Sequence, residues 1–197
     1  MYRIITIDRP YASGGSEIGK KLADALDYKL FDWNILTEAA KSMGIPQIYI
    51  NSLDETSSGS FIFNLSKTAK NEKSLPMAEK LFAMERRIIE KAADEGGCVI
   101  VGRAAGYILR NRKDCLRVFL HADYESRIQR VIKKVGLTRA EAVNNIKKID
   151  KHRKSFYDSV TEWKWGNLEF FDVCLASDKL GIEYCIKLLT EAVKAKP

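Results

Sequence analysis

Short runs dense in Ile, Val and Leu recur between helical patterns along this chain, and that alternation most constrains its fold. Tyr2–Ile7, Cys98–Val101, Leu116–Leu120 and Val173–Ala176 are rich in apolar and β-branched residues, the pattern of strands covered on both faces. Lys29–Phe31 is a shorter strand candidate. Between strands, Ile18, Leu22, Ala25 and Leu26 repeat at helical spacing. Further helices are expected over Ile35–Met43, Met77–Glu95, Tyr124–Val135 and Leu180–Val193, with Gly96-Gly97 and Gly136 as C-terminal stops. Thr138-Arg139-Ala140-Glu141 is a capping box that opens another helix, continuing to about Tyr157. Strands alternating with helices predict an α/β fold, a five-stranded parallel sheet with helices on both faces.

A length of 197 residues suits a single domain, 1–197, around one core. No apolar run approaches the roughly 20 residues of a membrane span. A strand begins within a few residues of Met1, so neither a membrane association nor a signal peptide is expected. Cys98, Cys115, Cys174 and Cys185 show no CxxC spacing and no nearby histidine pair, which argues against zinc or a disulfide framework and fits a reducing cytoplasm. Residues 51–60 have loop composition and belong to an expected mobile insert. The net charge of +7 is concentrated: from Arg127 to Lys154 there are ten Lys or Arg residues against Glu141 and Asp150. Such a segment suits a polyphosphate ligand as well as a nucleic-acid backbone. The lack of interleaved aromatics argues against nucleic acid.

The first strand runs into Asp8-Arg9-Pro10-Tyr11-Ala12-Ser13-Gly14-Gly15-Ser16-Glu17 and then a helix. Strand, small-residue loop and helix is the order used by phosphate-binding loops, whose backbone N–H groups converge on an anion. Such loops usually add a Lys for the phosphates and a Ser or Thr for magnesium. In one frame the loop is Arg9–Ser16, with Gly14 as the second glycine, Gly15 where Lys is expected and Ser16 as the hydroxyl. In the other, Gly14, Gly19 and Lys20 restore the lysine, but Lys21 replaces the hydroxyl. That second frame leaves barely two helical turns before Asp27 and wastes the apolar Ile18, so the first is preferred. A plain strand-to-helix turn is the alternative.

The pattern Ile-Thr-Ile-x-x-x-Tyr-x-Ser-Gly-Gly-x-Glu-Ile-Gly-Lys-Lys-Leu-Ala, followed by Phe31-Asp32, resembles the cytidylate kinase-like family. The likeness continues through Val99–Arg103, Val118–Arg130, Asp150–Arg153, Trp165-Gly166 and Phe171–Val173. It implies a three-layer P-loop kinase fold with a helical lid over about residues 124–158, an acceptor-side insert at about 44–76, ATP and Mg²⁺ as cofactors and a nucleotide acceptor. By this resemblance, Ser13, Gly14, Gly15, Ser16 and Glu17 bind the donor phosphates and Ser16 the metal. Arg127 and Arg130 match lid arginines that close over the transferring group. Arg103 matches an arginine that aligns the acceptor, Asp150 and Arg153 match an Asp-x-x-Arg reading its sugar and base, and Asp32 lies near it.

Each of these residues also has a plain structural alternative. Arg103 could form a surface salt bridge, Arg127 and Arg130 a solvated face, Asp150 and Arg153 an i, i+3 pair, and Asp32 a helix cap. Trp163 and Trp165 read as packing residues. The chain departs from typical cytidylate kinases at Gly15 (lysine), at Val101 (aspartate), at Ile146 (arginine) and in Asp32–Leu36, which lacks an arginine. Three activities follow: a cytidylate-preferring kinase, a kinase of another small acceptor, or a nucleotide or anion binder without turnover.

Overall fold

Ile4–Asp8 is buried along its whole length and forms the central strand, β1. The computed structural model of the chain describes residues 1–42, 44 and 77–195. The expected insert, including 51–60, lies almost wholly outside those residues. From β1 the chain passes through α1 (Gly15–Leu26), β2 (Lys29–Phe31), α2 (Trp33–Ser42), α3 (Met77–Glu95), β3 (Cys98–Val101) and the short α4 (Ala105–Ile108). It continues through β4 (Cys115–His121), α5 (Tyr124–Val135), α6 (Arg139–Val160), a 3-10 turn at Leu168–Phe170, β5 (Val173–Ala176), α7 (Ser177–Leu180) and α8 (Ile182–Lys194).

All pairings are parallel, in the order β2-β3-β1-β4-β5, with Ile4 opposite both Cys98 and Cys115. Alternation along the strands divides two cores. Ile5, Ile7, Val99, Val101, Leu116, Val118 and Leu120 pack against Ile18 and Leu22 of α1 and Ile186, Leu189 and Val193 of α8. Ile4, Cys98, Ile100 and Cys115 face Ile35 of α2, Ile89 and Ala93 of α3, and α4. Two packed faces explain why the strands read as apolar runs rather than as alternating ones. Helix α1 sits close to the sheet because Gly19 lacks a side chain, and a Cβ there would lie 2.7 Å from Val101 Cγ2. Among the described residues, no helix is long and apolar enough to cross a membrane.

Helices α5 and α6 form a hairpin with a small core of its own, Ile128, Val131, Ala142 and Ile146. This is the region expected as a lid, and Tyr11 and Ala12 of the first loop pack against it. Asp123 caps α5, and the Thr138–Glu141 box caps α6 as its sequence predicts. Two elements differ from expectation. The four-residue α4 has too few residues to show a helical period. The expected helix over Leu180–Val193 begins earlier, at Ser177, and is broken at Gly181 into α7 and α8.

Candidate functional site

The strand order reverses at β1, whose neighbours β3 and β4 lead away in opposite directions, and open parallel sheets bind ligands at such a point beyond the strand carboxyl ends. Residues 9–14 lie there. Gly14 adopts φ +83°, and α1 starts at Gly15 with no side-chain cap. The first N–H groups of α1 therefore lack partners within the helix and suit an anion. A Cβ at Gly14 would come within 2.7 Å of Ile182 Cδ1 and 3.2 Å of Arg130 Nη1, so glycine serves both the backbone angle and the space. The start at Gly15 selects the first loop frame. Gly19 lies inside α1 and Lys20 is exposed.

The loop is clamped from outside. Arg130 donates to the Ala12 carbonyl at 2.8 Å, and Arg153 to the Arg9 carbonyl at 3.0 Å. The Tyr11 N–H donates to Asp150 Oδ1 at 2.7 Å, while Asp150 Oδ2 accepts from Arg127. From the other side, Ser177 Oγ donates to the carbonyl of the fully buried Ser13 at 2.6 Å, and Ser13 Oγ donates to the Pro10 carbonyl at 2.9 Å. Of the residues expected from sequence, Arg130, Asp150 and Arg153 thus bond one loop, and Arg127 reaches it through Asp150. Arg127 and Arg130 share a face through their i, i+3 spacing, as expected.

A second turn follows β3. Gly102, Arg103 and Ala104 all have positive φ, at +81°, +56° and +54°. Left-handed non-glycine residues in succession are strained and need surroundings that hold them. The Arg103 guanidinium stacks on Phe156 of α6 at 4.1 Å and pairs with Glu85 of α3, which is completely buried. Asp32 directly follows β2, and β3 lies between β2 and β1. Ser16 and Glu17 are exposed in the first turn of α1, where Glu17 pairs with Lys21 at 3.5 Å. Ile146 is buried in the α5–α6 core, and Val101 lies beneath Gly19. Trp163 stacks face to face on Phe170 at 4.3 Å and meets Tyr107 edge-on, a packing arrangement.

Two residues of this site escape the sequence reading. Glu85 lies one turn from Leu81 and one from Ile89 on the buried face of α3. A lone acid in an apolar stripe was the available signal. The other is Arg9, which stands where the motif places its first glycine.

Carboxylates anchor the starts of α5 and α6. The Ser126 backbone N–H holds the Asp123 carboxyl below its usual range. The Arg139 guanidinium brings Glu125 down to about 2, and Thr138 lowers Glu141. Groups depressed in the folded state stabilise it above their unfolded values near 4 and lose that contribution as pH falls toward the folded ones. Between about pH 5 and pH 2, α5 and α6 amides should therefore lose protection ahead of β1 and β3, in hydrogen exchange corrected for intrinsic rates. Equal loss in the sheet and in α5 and α6 would refute this. Burial, with Asp8 nearby, pushes the Tyr157 phenol well above its usual range, so it stays protonated.

This five-stranded parallel sheet with helices on both faces, its first loop leading into α1, has the P-loop kinase class of fold. Shikimate kinase from Bacteroides thetaiotaomicron shares it, with a TM-score of 0.53 and 16% identity over 99% of this chain and 100% of that one. A crystal structure of a protein from Eubacterium ventriosum matches with a TM-score of 0.73 and 24% identity, covering 98% of both chains. The chain belongs to the cytidylate kinase-like family, whose sequence profile matches residues 4–179. It is 25% identical over 191 residues to the cytidylate kinase of Pyrococcus horikoshii, covering 96% of this chain and 88% of that protein.

Proposed function

We propose that this protein transfers the terminal phosphoryl group of ATP to a small acceptor, with a nucleoside monophosphate of cytidylate type as the first candidate. The observation that carries this reading is the uncapped start of α1 at the reversal point, clamped by arginine-bearing lid helices. Family membership and the cytidylate kinase relative support it. Gly14, Gly15 and the N–H groups of the first α1 turn would hold the donor phosphates, with Ser13 fixing the loop and Glu17 at its rim. Arg127 and Arg130 stand beside them, where positive charge offsets charge spreading over the transferring group. Arg103, Asp32, Asp150 and Arg153 are the acceptor-side residues, and Arg103 is held in place by Glu85.

Among the described residues, no cluster of three His, Cys, Asp or Glu side chains could hold a metal. A hard cation takes oxygen ligands, and the Ser16 hydroxyl at the start of α1 together with phosphate oxygens fits Mg²⁺. When bound, that ion neutralises phosphate charge. The side chains supply the rest: they orient donor and acceptor, and a closed lid excludes water.

The test is coupled ADP release with ATP, Mg²⁺ and a panel of monophosphates, in which CMP is expected to give the fastest turnover. The buried Ile146, at a position where typical cytidylate kinases carry an arginine, favours the second reading, a kinase of another small acceptor. ATP binding without turnover on any acceptor would overturn the catalytic claim and leave a nucleotide-binding protein.

A further inference from the structure

In a loop of this type, the residue after the second glycine carries the lysine that reaches the β- and γ-phosphates. Here that residue is Gly15, and another side chain fills its space. A Cβ built on Gly15 would lie 2.7 Å from Arg9 Cγ, 3.0 Å from Arg9 Cβ and 3.4 Å from Arg9 Cδ. The aliphatic stem of Arg9 therefore runs where a lysine at position 15 would begin. Its guanidinium continues to the turn after β3, where a Cβ on Gly102 would collide with Arg9 Nη1. Gly102 has φ +81°, so glycine there meets a backbone need and leaves room for the guanidinium. Arg9 is only 9% exposed, and its own carbonyl is held by Arg153.

We propose that Arg9 is the phosphate-binding cation of this loop, replacing the missing lysine in space though not in sequence. The first-glycine position has become arginine and the lysine position has become glycine, two exchanges that compensate each other. Arg9 lies between the start of α1 and the turn after β3, at the carboxyl ends of β1 and β3, the crevice where the transferring phosphates would lie. A guanidinium suits the role because its planar fork can donate to two phosphate oxygens at once.

This inference rests on the phosphoryl-transfer reading for its ligand, and titration calorimetry with ATP·Mg²⁺ and with inorganic tripolyphosphate separates the two. Arg9→Met keeps the stem and removes the charge. It should weaken both ligands about tenfold to a hundredfold, the worth of hydrogen bonds to a charged group, with a thermal midpoint near that of the wild type. Gly15→Lys alone should also weaken binding, because its stem meets that of Arg9. The double exchange Arg9→Gly with Gly15→Lys rebuilds the ordinary motif and should bind within about threefold of the wild type. Unchanged binding by Arg9→Met would overturn the proposal, as would a folded double variant binding no better than Gly15→Lys. A wild-type protein that binds neither ligand would overturn the phosphoryl-transfer reading itself.

Discussion

Asp150→Ala is expected to cost about 3 kcal/mol in urea denaturation and to loosen the loop between β1 and α1. The carboxylate holds two partners at once. Oδ2 accepts from Arg127, whose side chain is 8% exposed, and Oδ1 accepts from the Tyr11 N–H at 2.7 Å. Alanine leaves a nearly buried guanidinium without its counter-charge and a loop N–H without its acceptor, and each loss carries a desolvation penalty. Asp150 itself is 21% exposed, so water can reach the gap and the effect falls at the lower end for broken buried pairs, about 3–5 kcal/mol. Asp150→Asn keeps an acceptor for Tyr11 and removes only the charge, so it should cost less. Adding Arg127→Met to Asp150→Ala removes the stranded charge and should recover most of the loss. A single variant within about 0.5 kcal/mol of wild type, the range of an unremarkable surface change, would show that the clamp is not structural.

The second large effect lies at the other turn of the site. Glu85→Leu should destabilise the protein by about 3–5 kcal/mol, because it strands the Arg103 guanidinium in a closed environment. Glu85 is completely buried and the Arg103 side chain is 9% exposed, so little water can replace the lost partner. Stacking on Phe156 at 4.1 Å offsets only part of the loss. Arg103→Met should be comparably costly, since it takes the guanidinium from a completely buried carboxylate. The double variant Glu85→Leu with Arg103→Met has no charge to bury, so the cycle should show a coupling energy of about 2 kcal/mol or more. Additive losses would mean that the two groups do not depend on each other. In the proposed acceptor role of Arg103, the buried acid and the aromatic ring would hold its guanidinium in a fixed geometry.

Where a signal was carried by neighbouring residues, the sequence was legible. The helices Met77–Glu95 and Tyr124–Val135 and the strands Cys98–Val101 and Val173–Ala176 have the bounds their patterns predict. A helical period, a glycine stop, a capping box and an apolar run are all local, and here tertiary packing agreed with them. Local signals were insufficient at α4, which is one turn long, and at Ser177, which joins a helix while its hydroxyl bonds the Ser13 carbonyl.

The candidate site was legible in part, for the same reason. The loop frame followed from Ile18 and the helix it begins, and the Arg127/Arg130 face followed from i, i+3 spacing. What those arginines touch did not follow. Tyr11 and Asp150 are 139 residues apart in the chain, and Ser13 and Ser177 are 164 apart. Such contacts exist only because the order β2-β3-β1-β4-β5 brings the ends of β1, β4 and β5 together.

The sequence by itself determined the elements, the parallel α/β class and the small-residue loop between β1 and α1, because each is written in contiguous residues through periodicity, caps and turn chemistry. Only the tertiary structure decided that Glu85 holds Arg103, that residues of α5 and α6 grip the loop, and that Arg9 fills the space at Gly15. Those relations depend on which chain ends the sheet makes adjacent, and side chains distant in sequence acquire a common environment only when the strands have paired.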